Sequence, residues 1–268
     1  MKYIRFLKNN SECCGVLNGE TISALDGNFL SESPKLTGEV FKLSEVKLLP
    51  PVNPGQLIAI GLNYALHAKE SGKSIPEEPM MFMVSPTAVV ADGEEISLPN
   101  LEHRIDYEAE LAVVIGKQAK DVRKELALEY VFGYTICNDI SDRNLQKNDG
   151  QFTRAKSFAT FKPLGPVIET DLNPNNVEIK LSVNGIVKQQ SNTNDLIHDI
   201  ESLIVKVTEV MTLNPGDIII TGTPSGVGPL KPGDQVAIEI EGIGKLMNNV
   251  VDGTKKVLQT TDESQLAK

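Results

Sequence analysis

Cysteine is scarce in this chain, three in 268 residues, and its placement excludes two classes at once. Cys13 and Cys14 are adjacent and Cys137 is remote, so there is no disulfide framework, no CxxC and no cysteine–histidine spacing of a zinc site. Basic charge is also short: 26 Lys and Arg face 36 Asp and Glu, a formal net charge of −10. A nucleic-acid partner needs a basic footprint, so none is expected, and an anionic substrate requires a local cation. No stretch approaches the ~18 apolar residues of a membrane helix, and the N-terminus lacks the apolar segment of a signal peptide. No membrane partner is expected, and the cytoplasm is the expected compartment. Thr221-Gly222-Thr223-Pro224-Ser225-Gly226-Val227-Gly228 holds neither Gly-Lys-Ser/Thr nor G-x-G-x-x-G, and Ser141 and Ser157 lack a nucleophile-elbow context. Nucleotide binding and a serine triad are both disfavoured.

What is present is enough apolar sequence, 40% of residues, for a large core. Residues 1–50 alternate short apolar runs with turn signals such as Asn18-Gly19, the pattern of a small N-terminal β domain. Pro50-Pro51-Val52-Asn53-Pro54-Gly55 admits neither helix nor paired strand, so the main domain is expected over residues 51–252. A polar tail is expected over 253–268. Residues 56–61 read as a buried strand, 63–72 as a short helical or lid-like segment, and 122–130 as a compact helix. Apolar residues recur at helical spacing over 195–213, with Asp195 near the start as a cap. Two Pro-Gly units, at Pro215-Gly216 and Pro232-Gly233, read as type II turns feeding strands. The fold class is mixed α+β, mostly β.

The chemistry concentrates in Asp106-Tyr107-Glu108-Ala109-Glu110, where acids occupy alternate positions of a strand and share a face. Close carboxylates near a core repel one another and lose hydration, for which a divalent ion is the usual compensation; a solvated edge strand is the bland alternative. Val131-Phe132-Gly133-Tyr134-Thr135-Ile136-Cys137-Asn138-Asp139 reads as a strand delivering another acid to its end. Glu108, Glu110 and Asp139 would form an all-oxygen site that favours Mg²⁺, Mn²⁺ or Ca²⁺ over Zn²⁺. His67 and Glu70, three apart, share a helical face and form either a general base with its orienting carboxylate or an ordinary surface contact. Backbone amides around Gly222 and the Thr223 hydroxyl are candidates to hold an anion, against the reading of a plain glycine-rich connection. Lys156, Arg143, Asn144 and Gln146 supply donors nearby.

Taken in order, Gly61-Leu62-Asn63-Tyr64 with His67 and Glu70, Asp106-Tyr107-Glu108-Ala109-Glu110-Leu111, Asn138-Asp139-Ile140-Ser141, Lys156-Ser157-Phe158, Pro163-Leu164-Gly165-Pro166, Val183-Asn184-Gly185 and Thr221-Gly222-Thr223-Pro224 resemble the fumarylacetoacetate hydrolase family. The resemblance implies a mixed β-roll catalytic domain with a small N-terminal β domain, a homodimer, and Mg²⁺ or Mn²⁺ held by Glu108, Glu110 and Asp139. It implies an enzyme acting on small 2-oxo or 2,4-dioxo acids through a metal-stabilised enolate, by acylpyruvate hydrolysis or oxaloacetate decarboxylation or tautomerisation. His67 with Glu70 would activate water or move a proton, Lys156 would polarise a carbonyl or bind the distal anion, and Thr223 and Gln146 would contact the substrate. One alternative is an isomerase or decarboxylase of aromatic catabolism acting on a compound such as 2-hydroxyhepta-2,4-diene-1,7-dioate. Another is a protein that binds metal and keto acid without turnover. Val84 stands where relatives commonly have lysine, Ala159 and Leu66 where aspartate is common, and Asp142 and Asn144 alter a Ser-Ala-Arg-Asp pattern.

Overall fold

Alternation in the first residues becomes five strands, β1 (Lys2–Lys8), β2 (Ser11–Asn18), β3 (Thr21–Leu25), β4 (Leu36–Lys42) and β5 (Lys47–Leu49). Strands β1 to β4 pair antiparallel in succession and β5 returns to β1. The β2–β3 turn falls at Gly19, whose φ of 58° is the left-handed conformation that a tight hairpin demands. The computed structural model describes residues 1–31, 34–70, 72 and 74–254, so nearly all of the expected tail lies outside the described residues. The first strands do not form a closed sheet of their own, because Lys2 and Tyr3 pair with Glu169 and Ile168 of the main sheet.

After the proline-rich joint come β6 (Leu57–Gly61), α1 (Ala65–Glu70), β7 (Met80–Val84), β8 (Val89–Val90) and β9 (Glu95–Leu98). The acidic segment forms β10 (Ile105–Tyr107) and β11 (Ala109–Ile115), followed by β12 (Val131–Asn138), β13 (Ser141–Asp142), α2 (Arg143–Asp149), α3 (Thr153–Lys156) and β14 (Lys162–Glu169). The rest comprises β15 (Glu178–Val183), β16 (Ile186–Asn192), α4 (Ile200–Val210), β17 (Ile218–Ile220), β18 (Gly228–Pro229), β19 (Gln235–Ile240) and β20 (Gly244–Asp252). The fold is mostly β and has no closed barrel. A twelve-stranded sheet runs β4-β3-β2-β1-β14-β12-β11-β17-β6-β7 with β5 and β8 attached to its side, a five-stranded sheet runs β16-β15-β19-β20-β9, and β13-β10-β18 form a small third sheet. The central strands β6, β11 and β17 are buried on both faces, and Glu110 is the one charged residue among them.

Both Pro-Gly units are turns as read. Gly216 and Gly233 have φ of 90° and 94°, and the Asp217 and Asp234 amides donate to Asn214 O and Lys231 O. The helix expected over 195–213 is shorter, since α4 starts at Ile200 with Asp199, not Asp195, accepting the capping bond from Ser202 N. The reason is Asn63. Its carboxamide bonds both backbone groups of His198, and its own carbonyl accepts from Ile197 N, which commits that stretch to the 61–66 loop. Asp195 accepts from Leu66 N instead. The segment at 122–130 is a 3₁₀ helix, Lys124–Tyr130. No helix among the described residues is long and apolar enough to cross a membrane.

Candidate metal centre and active site

A break between β10 and β11 creates the site. On one side β10 pairs with β13 and β18, on the other β11 pairs with β12 and β17, and Glu108 sits at the change of partner. Its backbone is pinned to the end of β12: Glu108 N donates to Asn138 Oδ1 at 3.0 Å, and Asp139 N donates to Glu108 O at 2.8 Å. Asp139 is thereby delivered beside the two glutamates. Glu108, Glu110 and Asp139 are all buried, and each offers an oxygen within 4.8 Å of the others. Opposite oxygens around an octahedral Mg²⁺ are about 4.2 Å apart, so the cluster has the span of a single hard ion.

Asp106 does not join the cluster; it anchors a cation. Arg143, the first residue of α2, places Nε 2.8 Å from Asp106 Oδ2, donates Nη1 to Gln146 Oε1 at 2.8 Å, and donates Nη2 to Glu108 Oε1. Lys156 Nζ lies 2.7 Å from Glu108 Oε2 and also bonds Asp139 Oδ2. Lys162, which the sequence reading missed, is fully buried 2.8 Å from Asp139 Oδ1. It donates to the carbonyls of Ile140, Lys156 and Phe161, so Asp139 Oδ1 remains a buried oxygen that accepts no hydrogen bond. The available signal was a single charge inside the apolar run Phe161-Lys162-Pro163-Leu164.

These pairings push neighbouring acids in opposite directions. Burial pushes Glu108 up, but Arg143 and Lys156 outweigh it and hold the carboxyl well below the usual range. Glu110 is pushed well above that range, first by burial and then by the negative charges of Asp139 and Glu108. Burial pulls Lys156 down, yet Asp139 and Glu108 overcome it and push it up to about 12. Glu110 takes part in no ion pair among the described residues; its one hydrogen bond comes from Gly222 N at 2.7 Å. Three clustered carboxylates, one of which, Glu110, is in no ion pair among the described residues, fit a hard divalent ion.

Eight of the ten residues singled out from sequence, His67, Glu108, Glu110, Asp139, Arg143, Gln146, Lys156 and Thr223, line one cavity of about 80 Å³. Glu70 stands behind His67, with Oε2 3.3 Å from His67 Nδ1, and also accepts from Gly226 N. Gly222 contributes differently from expectation, because its amide is turned onto Glu110 rather than toward the cavity. Its φ is 96°, and a Cβ there would sit 2.9 Å from Asn63 Cβ. The apolar walls, Ile60, Leu62, Met80, Phe82 and Phe152, carried no sequence signal that set them apart from core. Leu62, Met80 and Phe152 also line a more open apolar recess of about 430 Å³ with Ser74 and Pro76. A groove of about 510 Å³ between the N-terminal hairpins and the proline-rich joint is larger, but it holds none of the clustered acids.

The departures from the family pattern lie outside the cavity lining. Val84 is buried in apolar core, while Leu66 and Ala159 are exposed. Asp142 caps α2 by accepting from Leu145 N at 3.0 Å and pairs with His103 Nδ1 at 2.6 Å, and Asn144 Oδ1 accepts from Arg104 N.

The model of the fumarylacetoacetate (FAA) hydrolase C-terminal family matches residues 56–251, and an Rv2993c-like N-terminal model matches residues 1–51. The chain is 40% identical to the mitochondrial oxaloacetate tautomerase fahd2 of Xenopus laevis, over 85% of this chain and 73% of that protein. Among solved structures, 5-carboxymethyl-2-hydroxymuconate delta-isomerase from Mycobacterium smegmatis superposes with a TM-score of 0.89 at 42% identity, covering 94% of this chain and all of that one. Maleylpyruvate hydrolase from Sphingobium sp. SYK-6, solved with manganese(II) and pyruvate, superposes at 0.80 with 30% identity, covering 94% and 100%.

Proposed function

This chain belongs to the fumarylacetoacetate hydrolase family, and from its cavity we propose a metal-dependent enzyme that moves protons on small 2-oxo acids, with oxaloacetate enol–keto tautomerisation as the leading reaction. The observation that carries this reading is the content of the cavity: three clustered carboxylates, two cations and one histidine, with neither serine nor cysteine in the lining. Such a set binds and deprotonates; it holds no serine or cysteine nucleophile. A Mg²⁺ or Mn²⁺ ion held by Glu108, Glu110 and Asp139 would supply fixed positive charge where an enolate develops. Arg143 and Lys156 would hold the substrate carboxylate. His67, its ring oriented by Glu70, would take a proton from C3 of the keto form while the 2-oxo oxygen gains one, or run the reverse. Decarboxylation and acylpyruvate hydrolysis also develop an enolate, that of pyruvate, and differ in the bond that breaks.

The match to the hydroxymuconate isomerase and the apolar recess beside the cavity favour one second reading, the same proton transfer along a longer conjugated acid. The test follows ultraviolet absorbance of enolic oxaloacetate, acetylpyruvate and fumarylpyruvate with protein in Mn²⁺, in Mg²⁺ and in excess chelator. Enol decay from oxaloacetate without release of pyruvate, abolished by chelator, is the expected result; pyruvate release would shift the assignment to decarboxylation or hydrolysis. Absence of metal-dependent change in all three would leave the longer conjugated acid as substrate, or binding without turnover. His67→Ala should cut turnover about 10²- to 10⁴-fold while leaving Mn²⁺ affinity unchanged.

A further inference from the structure

One buried side chain outside the cavity lining decides what Thr223 can do. Strand β16 is a sheet edge with Ile186, Val187, Lys188 and Gln190 exposed, yet Gln189 is buried. The register of β15 against β16 shifts between Leu181 and Ser182, leaving Lys188 without a pairing partner, and such a bulge re-aims the neighbouring side chain. Gln189 Oε1 accepts from Ala109 N at 3.0 Å, the amide between the two clustered glutamates. Its Nε2 donates to Thr223 Oγ1 and to Pro224 O, both at 2.8 Å. The orientation of the carboxamide is unambiguous, because Ala109 N can only donate and Pro224 O can only accept.

Thr223 Oγ therefore receives a hydrogen bond from Gln189, and its own proton has no protein acceptor among the described residues although the side chain lines the cavity. We propose that Gln189 is a positioning residue that makes Thr223 a hydrogen-bond donor directed at an anionic oxygen of the bound acid. This rests on the reading that the cavity takes a 2-oxo acid. With an apolar side chain at 189, the Thr223 proton would turn to the vacated Pro224 carbonyl and leave the cavity facing a lone pair, which repels a carboxylate or enolate.

The experiment measures binding of oxalate, a planar dianion with adjacent oxygens, to the Mn²⁺-loaded protein by calorimetry, alongside Mn²⁺ binding alone. Thr223→Val and Gln189→Met should each weaken oxalate binding tenfold or more. The double variant should be no weaker than Thr223→Val alone, and Thr223→Ser should bind as wild type does. Should Gln189→Met not fold, Gln189→Glu replaces it: the carboxylate still accepts from Ala109 N but draws the Thr223 proton to itself, so the same loss is expected. Unchanged oxalate affinity in a folded residue-189 variant, or losses that multiply in the double variant, would overturn the assignment of Gln189. Failure of the wild type to bind oxalate with Mn²⁺ bound would instead overturn the functional reading itself.

Discussion

Glu110 and Glu108 are two residues apart and carry opposite linkages to pH. Burial and the adjacent acids raise the Glu110 carboxyl in the metal-free fold, so its contribution to stability is most favourable below the unfolded value near ~4.3 and declines as pH rises toward the folded value. Glu108 is depressed despite burial by Arg143 and Lys156; its contribution is present above that unfolded value and is lost as pH falls. Replacing Glu110 by Gln keeps an acceptor for Gly222 N and removes the cost of holding a proton on a buried acid above its unfolded value. In chelator at neutral pH, Glu110→Gln should therefore melt a few degrees above wild type by calorimetry, while no longer gaining Tm from Mn²⁺. Wild-type Mn²⁺ affinity should rise with pH, because Glu110 releases a proton when the ion binds. A Glu110→Gln protein less stable than wild type in chelator would contradict this account.

At the scale of elements, α2 is the part whose placement the site depends on. It presents Arg143 and Gln146 from one face, and its N-terminus is held by Asp142, which caps Leu145 N and pairs with His103. Asp142→Ala should cost about 0.5–2 kcal/mol for the lost cap and leave His103 without its partner. The expected signature is a lower Tm together with weaker substrate binding, because Arg143 is the residue that the cap positions. The turn after β17 is held by backbone sterics. Gly222→Ala places a Cβ against Asn63 and forces a left-handed alanine, so loss of metal binding is expected along with lower Tm. Titration calorimetry with Mn²⁺ checks it.

For the whole molecule, the site lies where separate sheets meet: Glu110 on the large sheet, Glu108 at its junction with the small third sheet, and Thr223 on a loop held by Gln189 from the five-stranded sheet. A ligand bound there links them, so Mn²⁺ in excess should raise Tm by an amount that grows with the logarithm of its concentration. A homodimer is proposed from the family resemblance, and light scattering should then show about twice the 29.1 kDa chain mass.

The acidic alternation around Glu108, the run ending at Asp139 and the His67–Glu70 spacing were legible in the sequence, because side-chain period and charge are local properties. So were the mostly β class and the two Pro-Gly turns, since turn chemistry acts over four residues. Three things were decided only by the fold, each through contacts distant in the chain. Asp106 became an anchor for Arg143 instead of a fourth acid of the cluster, Asn63 shortened the helix at 195–213, and the Gly222 amide turned onto Glu110. Lys162 and Gln189 lie 23 and 80 residues from the groups that they serve, Asp139 and Ala109, and pattern reading over a window cannot place a buried cation or amide against a partner that far away. Local periodicity determined which residues could do chemistry; strand pairing across the chain determined which of them meet.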